Sequence, residues 1–296
     1  MSDAPFFTTI LDDVTVGPVR RPDNFSKNAK GSIHDDATAQ KLGFKGGTVA
    51  GNIHFEQFAP LLAQVLGRDW YRTGNLSLYF LNPTTDGEPV QVFAKTPVAR
   101  PEGGMRVEVW MEDAQGRRVS EGTAASGPPD MESALRQKLR TVRPPEDLRI
   151  LKASKVGDVC RKIPAHLDLS RNTNRLEFIT EPLPEYEDPT IWGERVAAPA
   201  IAIDAMRVVE TPLFKPDGPF VGMFGAIEVQ MIDGPVFMEH DYLVDGEILA
   251  LSESPKTEVA WFESVMRDAK DGRDVSRMIL MTRLLKGASP LWAVAI

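Results

Sequence analysis

The residues best suited to chemistry cluster between Gly31 and Leu66. A polar loop carries His34, Asp35 and Asp36, and glycines follow at Gly43 and at Gly46-Gly47. An imidazole has an unperturbed pKa of about 6.5, so His34 can take or release a proton at neutral pH. The two aspartates can join in proton transfer. They equally suit the N-cap of a short helix over Asp36–Leu42. Behind the loop, Phe55, Phe58, Leu61, Leu62, Val65 and Leu66 recur at helical spacing and form one buried face. A helix entered through Gly51 leaves its first backbone N–H groups, near Ala50, Gly51 and Asn52, without partners. A titratable cluster beside such a start suits chemistry on a carbonyl that gains negative charge.

Strands must hold this helix in place. After Gly74 the period changes to two, with Leu76, Leu78 and Phe80 alternating against Ser77 and Tyr79. Val90 to Ala94, Arg106 to Met111 and Val119 to Ala125 continue the pattern, with turns at Asp86-Gly87 and at Asp113-Ala114-Gln115-Gly116. Upstream, Phe6 to Val19 reads as a strand. Downstream, Met131 to Leu139 reads as a short charged helix. Proline-bearing polar sequence from 141 to 156 reads as a linker.

The second half answers the first. Gly225 to Ile232 alternates as Gly74 to Leu81 does, and Ala200 to Val209 offers an apolar helix in the place of Asn52 to Leu66. Asp268 to Ser276 answers Asp113 to Ser120 with one residue inserted, and Asp245-Gly246-Glu247 answers Asp86-Gly87-Glu88. One unit used twice is expected, over 1–140 and 157–296. Each unit is α+β, a curved antiparallel sheet wrapped on a helix. A second copy pairing edge to edge removes an open edge strand.

Composition narrows the classes. Of the 296 residues, 42% are hydrophobic and 26% charged, which fits a soluble globular protein. The net charge of -8 comes without a basic block, which argues against nucleic-acid or anionic-membrane partners. Met1 to Asp12 does not read as a signal peptide, and no stretch approaches the roughly 20 apolar residues of a membrane span. The cytoplasm is the expected compartment. The single cysteine, Cys160, excludes an internal disulfide and a cysteine-rich zinc site. The histidines, His34, His54, His166 and His240, are dispersed, so no metal is expected. The phosphate-binding glycine loops and the nucleophile elbow are missing, and no cofactor is expected.

The run Ile33-His34-Asp35-Asp36-Ala37, with Gly43-Phe44 and then Ala50-Gly51, resembles the MaoC-like branch of the hotdog superfamily. Those are R-specific enoyl-CoA hydratases and 3-hydroxyacyl dehydratases, and the duplication resembles their double-hotdog members. His34, Gly43, Phe44 and Gly51 match the family motif. The family's catalytic Asp falls on Ala29, and the His before the helix glycine falls on Ala50. The resemblance therefore carries over half of an acid/base pair. Asp35, Asp36, Asn28 as a water-positioning amide, or Glu181 from the second copy are the candidates for the missing carboxylate's work. In the second copy Tyr186 stands about where His34 does, and Tyr186 and Trp192 suit either a substrate wall or interface packing. His54 lies one turn into the helix, near the expected cavity mouth.

The resemblance implies water addition to, or removal from, an α,β-unsaturated acyl compound, a CoA thioester first of all, in a protein that forms homo-oligomers such as a dimer. His34 would move the proton, and the Gly51 and Asn52 amides would hold the enolate oxygen. The same residues leave three alternatives: an acyl-CoA thioesterase, a non-catalytic acyl-binding or partner protein, and a lyase acting on a substrate that is not a CoA ester.

Overall fold

Along Asn75–Phe80, Leu76, Leu78 and Phe80 enter the main core while Tyr79 faces a smaller cluster with Leu135 and Trp261 on the other side. That period-two division is what a strand with both faces covered requires. The strand is one of twelve among the described residues of the computed structural model, which are 8–170, 176–181 and 183–293. In chain order they are β1 (Thr9–Leu11), β2 (Val14–Val16), β3 (Asn75–Phe80), β4 (Val90–Lys95), β5 (Val98–Ala99), β6 (Met105–Asp113) and β7 (Arg118–Ala125). The second half supplies β8 (Val159–Leu167), β9 (Gly222–Met231), β10 (His240–Glu253), β11 (Thr257–Asp268) and β12 (Asp274–Leu285).

These join in one antiparallel sheet ordered β1-β2-β4-β6-β7-β3-β9-β12-β11-β10-β8, with β5 on β6. The two halves meet where β3 pairs β9, Leu76 opposite Val229 and Leu78 opposite Ile227. Two edges that would otherwise stay open close on each other there. The halves also share their hairpin chemistry. Asp113 caps the β6–β7 turn by accepting the Gln115 and Arg117 amides, and Asp268 accepts the Lys270 amide at the β11–β12 turn.

Helices fill the concave side. Gly51–Glu56 and Ala59–Val65 come from the first half, and Pro199–Met206 from the second packs against Gly51–Glu56. The short helix Ala134–Leu139 crosses the back of the seam instead. The Ser133 hydroxyl donates to Glu228 and the Leu135 amide donates to the Ser77 hydroxyl. Glu258 then accepts the amides of Arg149, Ile150 and Leu151, which ties the connecting segment to β11.

Three local expectations change. The first half's helix is not continuous from Asn52 to Leu66. It breaks at Gln57–Phe58 and restarts with Pro60 in its first turn, where the absent N–H costs nothing. The stretch ending at Val19 is a hairpin, β1 and β2, turned at Asp12, while Phe6 and Phe7 lie outside the described residues. Asp245-Gly246 is no turn but the middle of β10. A Cβ on Gly246 would come within 2.8 Å of Val209 and Leu213, so glycine there admits close packing of the helical segment behind the strand. No helix among the described residues is long and apolar enough to cross a membrane.

Candidate active site

The His34 loop is folded back on the segment that leads into the Gly51–Glu56 helix. The Thr48 amide donates to the Ile33 carbonyl, and the Asn24 side chain donates to the His34 carbonyl at 2.8 Å. A Cβ on Gly47 would lie 2.1 Å from that same carbonyl oxygen, so only glycine allows the two strands of the loop to touch. The result places His34 Nδ1 2.6 Å from the Thr48 carbonyl. A carbonyl oxygen only accepts, so Nδ1 carries the proton, and the neutral ring keeps its lone pair on Nε2. Burial pushes the imidazole below its ordinary value; the Thr48 carbonyl opposes the shift and the Arg207 charge adds to it. His34 is therefore neutral at pH 7, with a basic nitrogen that takes no protein partner among the described residues.

The helix start lies on the same cavity wall. Its first intrahelical bonds run from the Ile53 and His54 amides to the Ala50 carbonyl, which leaves the Gly51 and Asn52 amides outside the helical ladder. The cavity has a volume of about 1290 Å³, above the roughly 300–1,000 Å³ of ordinary ligand pockets. Phe80 and Phe224 stand directly against Gly51, where a Cβ would come 2.9 Å from the first ring and 3.1 Å from the second.

Of the residues singled out in the sequence, His34, Phe44, Ala50, Gly51, Asn52 and His54 line this cavity. His54 donates or accepts through Nε2 to the Thr84 hydroxyl at 2.8 Å, and burial pushes its pKa down to about 4, so the ring is neutral. The other six have different surroundings. Asp35 is the N-cap of Asp36–Lys41, accepting from the Thr38 amide and hydroxyl, and Asp36 accepts the Gly47 amide at 2.7 Å. Asn28 is exposed on a turn. Glu181 pairs with Arg20. Tyr186 is fully buried and donates to Glu56, and Trp192 packs against the main core.

The second copy contributes residues that the motif did not reveal. Asp204 and Arg207 line the cavity, and Asp204 accepts from the Asn52 side chain at 3.0 Å. Arg207 lies 3.6 Å from Asp204, is held at two points by Glu210 and sits over the Phe224 ring. The signal available in the sequence was that Asp204 and Arg207 are the only charges in the apolar run from Ile201 to Val209. His166 and His240, by contrast, pair with Asp241 and Asp268 on the sheet, away from the cavity.

No family model matches the chain, and no curated protein matches it in sequence. Its backbone is similar to that of a Chloroflexus aurantiacus J-10-fl protein assigned to the MaoC-domain dehydratases. The two are 12% identical over 94% of this chain and 96% of that one, with a TM-score of 0.65. It is also similar to a Mycobacterium tuberculosis protein with a double hotdog fold, essential for bacterial survival during infection. That comparison gives 12% identity over 95% and 96% of the chains and a TM-score of 0.62.

The chain is a double hotdog. A MaoC-like dehydratase shares this fold at 14% identity, over 95% of this chain and 97% of that one, with a TM-score of 0.53. At such identities the likeness is one of fold. In this chain the His34 imidazole and the Gly51 helix start of the first copy share one cavity with Asp204 and Arg207 of the second.

Proposed function

We propose that this double hotdog is a hydratase/dehydratase of acyl thioesters, with its site in the first copy. The single observation that carries the reading is the hydrogen bond from His34 Nδ1 to the Thr48 carbonyl. It fixes the tautomer that a general base needs, on the wall that also holds the helix start.

The acyl group occupies the aromatic-walled cavity with its thioester carbonyl at the Gly51 and Asn52 amides. A water oxygen adds to Cβ while His34 Nε2 takes a water proton. The Cα–Cβ electron pair shifts toward the carbonyl, and the resulting enolate oxygen is held by the two amides. A donor of this kind is typically worth ~3–4 kcal/mol in the transition state. Transfer of the proton from His34 Nε2 to Cα completes addition and restores the neutral imidazole, and the reverse sequence expels water.

The test is loss of enoyl absorbance when crotonyl-CoA is added to the purified chain, abolished in His34→Ala. Release of free thiol from an acyl-CoA would identify a thioesterase instead. A ligand-induced rise in melting temperature without turnover would identify a binding protein. Unchanged turnover in His34→Ala would remove His34 from the chemistry.

A further inference from the structure

Asn52 is 2% exposed, yet its Oδ1 takes no hydrogen-bond partner. Buried acceptors of this kind are rare in folded proteins, because an unmatched polar atom has lost its water without replacement. The orientation of the carboxamide is set from outside the first copy. A carboxylate accepts, so the atom 3.0 Å from Asp204 Oδ1 is the NH₂ group, and the carbonyl end is the one left unmatched. Asp204 is itself backed by Arg207 at 3.6 Å, which the Glu210 carboxylate holds through two nitrogens at 2.8 Å each. Asn52 lies in the first turn of the Gly51–Glu56 helix and is one of the residues that line the cavity, so its buried, unmatched oxygen sits in the cavity wall.

An acceptor calls for a donor on the ligand. A thioester carbonyl and a saturated acyl chain offer none there, whereas a 3-hydroxyacyl group, or the water that becomes its hydroxyl, does. We propose that Asn52 Oδ1 receives the hydroxyl hydrogen of a 3-hydroxyacyl thioester, and that Asp204 of the second copy is the positioning residue that turns the carboxamide to do so. This rests on the hydratase reading and deepens it. The hydroxyl is recognised by a pair of residues drawn from both copies, and neither half of the chain would make the subsite alone.

The experiment compares two ligands that differ by one hydroxyl, racemic 3-hydroxybutanoyl-CoA and butanoyl-CoA. Each is titrated into the full chain carrying His34→Ala, so that turnover does not consume the first. The hydroxyl-bearing ligand is expected to bind about tenfold more tightly, the worth of one hydrogen bond to a buried acceptor. Adding Asn52→Leu should bring the two affinities together, because the leucine offers no acceptor to the hydroxyl. Adding Asp204→Asn should shrink the preference, since either end of the Asn52 carboxamide can then face the new side chain. That second variant carries the test if Asn52→Leu does not fold.

A tenfold preference that persists in these variants, or no preference in the parent, overturns the assignment. Failure of the underlying reading looks different: the wild-type chain would then leave crotonyl-CoA unchanged. Enoyl turnover with an unaltered hydroxyl preference sinks only the role of Asn52 and Asp204.

Discussion

Glu56 accepts the backbone N–H of Ala200 at 2.9 Å, so a carboxylate from the first copy closes the start of the second copy's helix. Pro199, in the first helical position, has no N–H to offer in any case. The reciprocal contact is not equivalent. Asp204 meets the Asn52 side chain and leaves the Gly51 and Asn52 amides to the cavity. Two helices packed against each other thus have one open start and one closed. That asymmetry is why the proposed chemistry belongs to one copy.

The closing contact has a pH signature. Burial pushes the Glu56 carboxyl up to about 7, against the lowering effect of hydrogen bonds from Tyr186 and Ala200. A folded pKa above the ordinary 4.5 means that the folded state binds the proton more tightly. The stabilisation is therefore full below about pH 4.5 and is lost as pH rises through 7. The span amounts to about 3 kcal/mol. Glu56→Gln keeps an acceptor for Ala200 and a group for Tyr186 without the titration. Thermal melts should show the variant gaining on wild type between pH 5 and pH 8 and surpassing it at the upper end. Parallel curves across that range would refute the assignment.

The role proposed for His34 predicts a pH dependence of turnover in the opposite region. Its imidazole is held below 6.5 by burial, so the active neutral base survives to more acidic pH than a solvated histidine would allow. The acid limb of kcat/KM for crotonyl-CoA should fall below pH 6.5. Arg207 contributes to that lowering, so Arg207→Gln should move the limb upward. A limb above pH 7, or one unmoved in the variant, would point to a different base.

Much of this architecture was legible in the chain. Leu76, Leu78 and Phe80 alternate with Ser77 and Tyr79 because one face of β3 meets the helices and the other meets a smaller cluster, and that pattern is visible without coordinates. The Asp113 and Asp268 turns carry the duplication in the same way. Asp245-Gly246 misled because glycine serves two ends. At Gly87 it permits a positive φ of 67°, whereas at Gly246 it admits the Val209 and Leu213 side chains against a strand. Of the site, His34 and Gly51 stood out through local spacing. Thr48, Asp204 and Arg207 did not, since a backbone carbonyl has no signature in side-chain identity and the other two arrive from more than a hundred residues away.

At Gly51 the fold constrains the candidate site through two aromatic side chains. Its backbone is ordinary helix, so alanine would even favour the helix by about 1 kcal/mol on propensity. The obstacle is a Cβ set 2.9 Å from Phe80 and 3.1 Å from Phe224. Relief requires those rings or the helix start to shift by a fraction of an ångström. Gly51→Ala should therefore change the melting temperature by only a few degrees while kcat/KM falls by about a hundredfold, because displaced amides no longer meet the enolate oxygen. Full activity in the variant would show that the helix start does not hold the reacting carbonyl.

Asp35 separates catalysis from capping within the same loop. Its carboxylate accepts from the Thr38 hydroxyl at 2.6 Å and from the Thr38 amide at 3.2 Å, and those bonds hold its pKa below the ordinary value. A depressed carboxyl stabilises the fold above its unfolded pKa and loses that contribution as pH falls through the folded one. Asp35→Ala should lower the melting temperature at pH 7, the deficit vanishing in acid, while kcat/KM on crotonyl-CoA stays within about twofold of wild type. Asp35→Asn retains an acceptor for the Thr38 amide and should recover most of the stability, as asparagine caps helices about as well as aspartate. A catalytic carboxylate would behave in reverse, since asparagine preserves the cap but cannot carry the proton. A hundredfold loss of rate in Asp35→Asn with an unchanged melting temperature would make Asp35 the acid/base group.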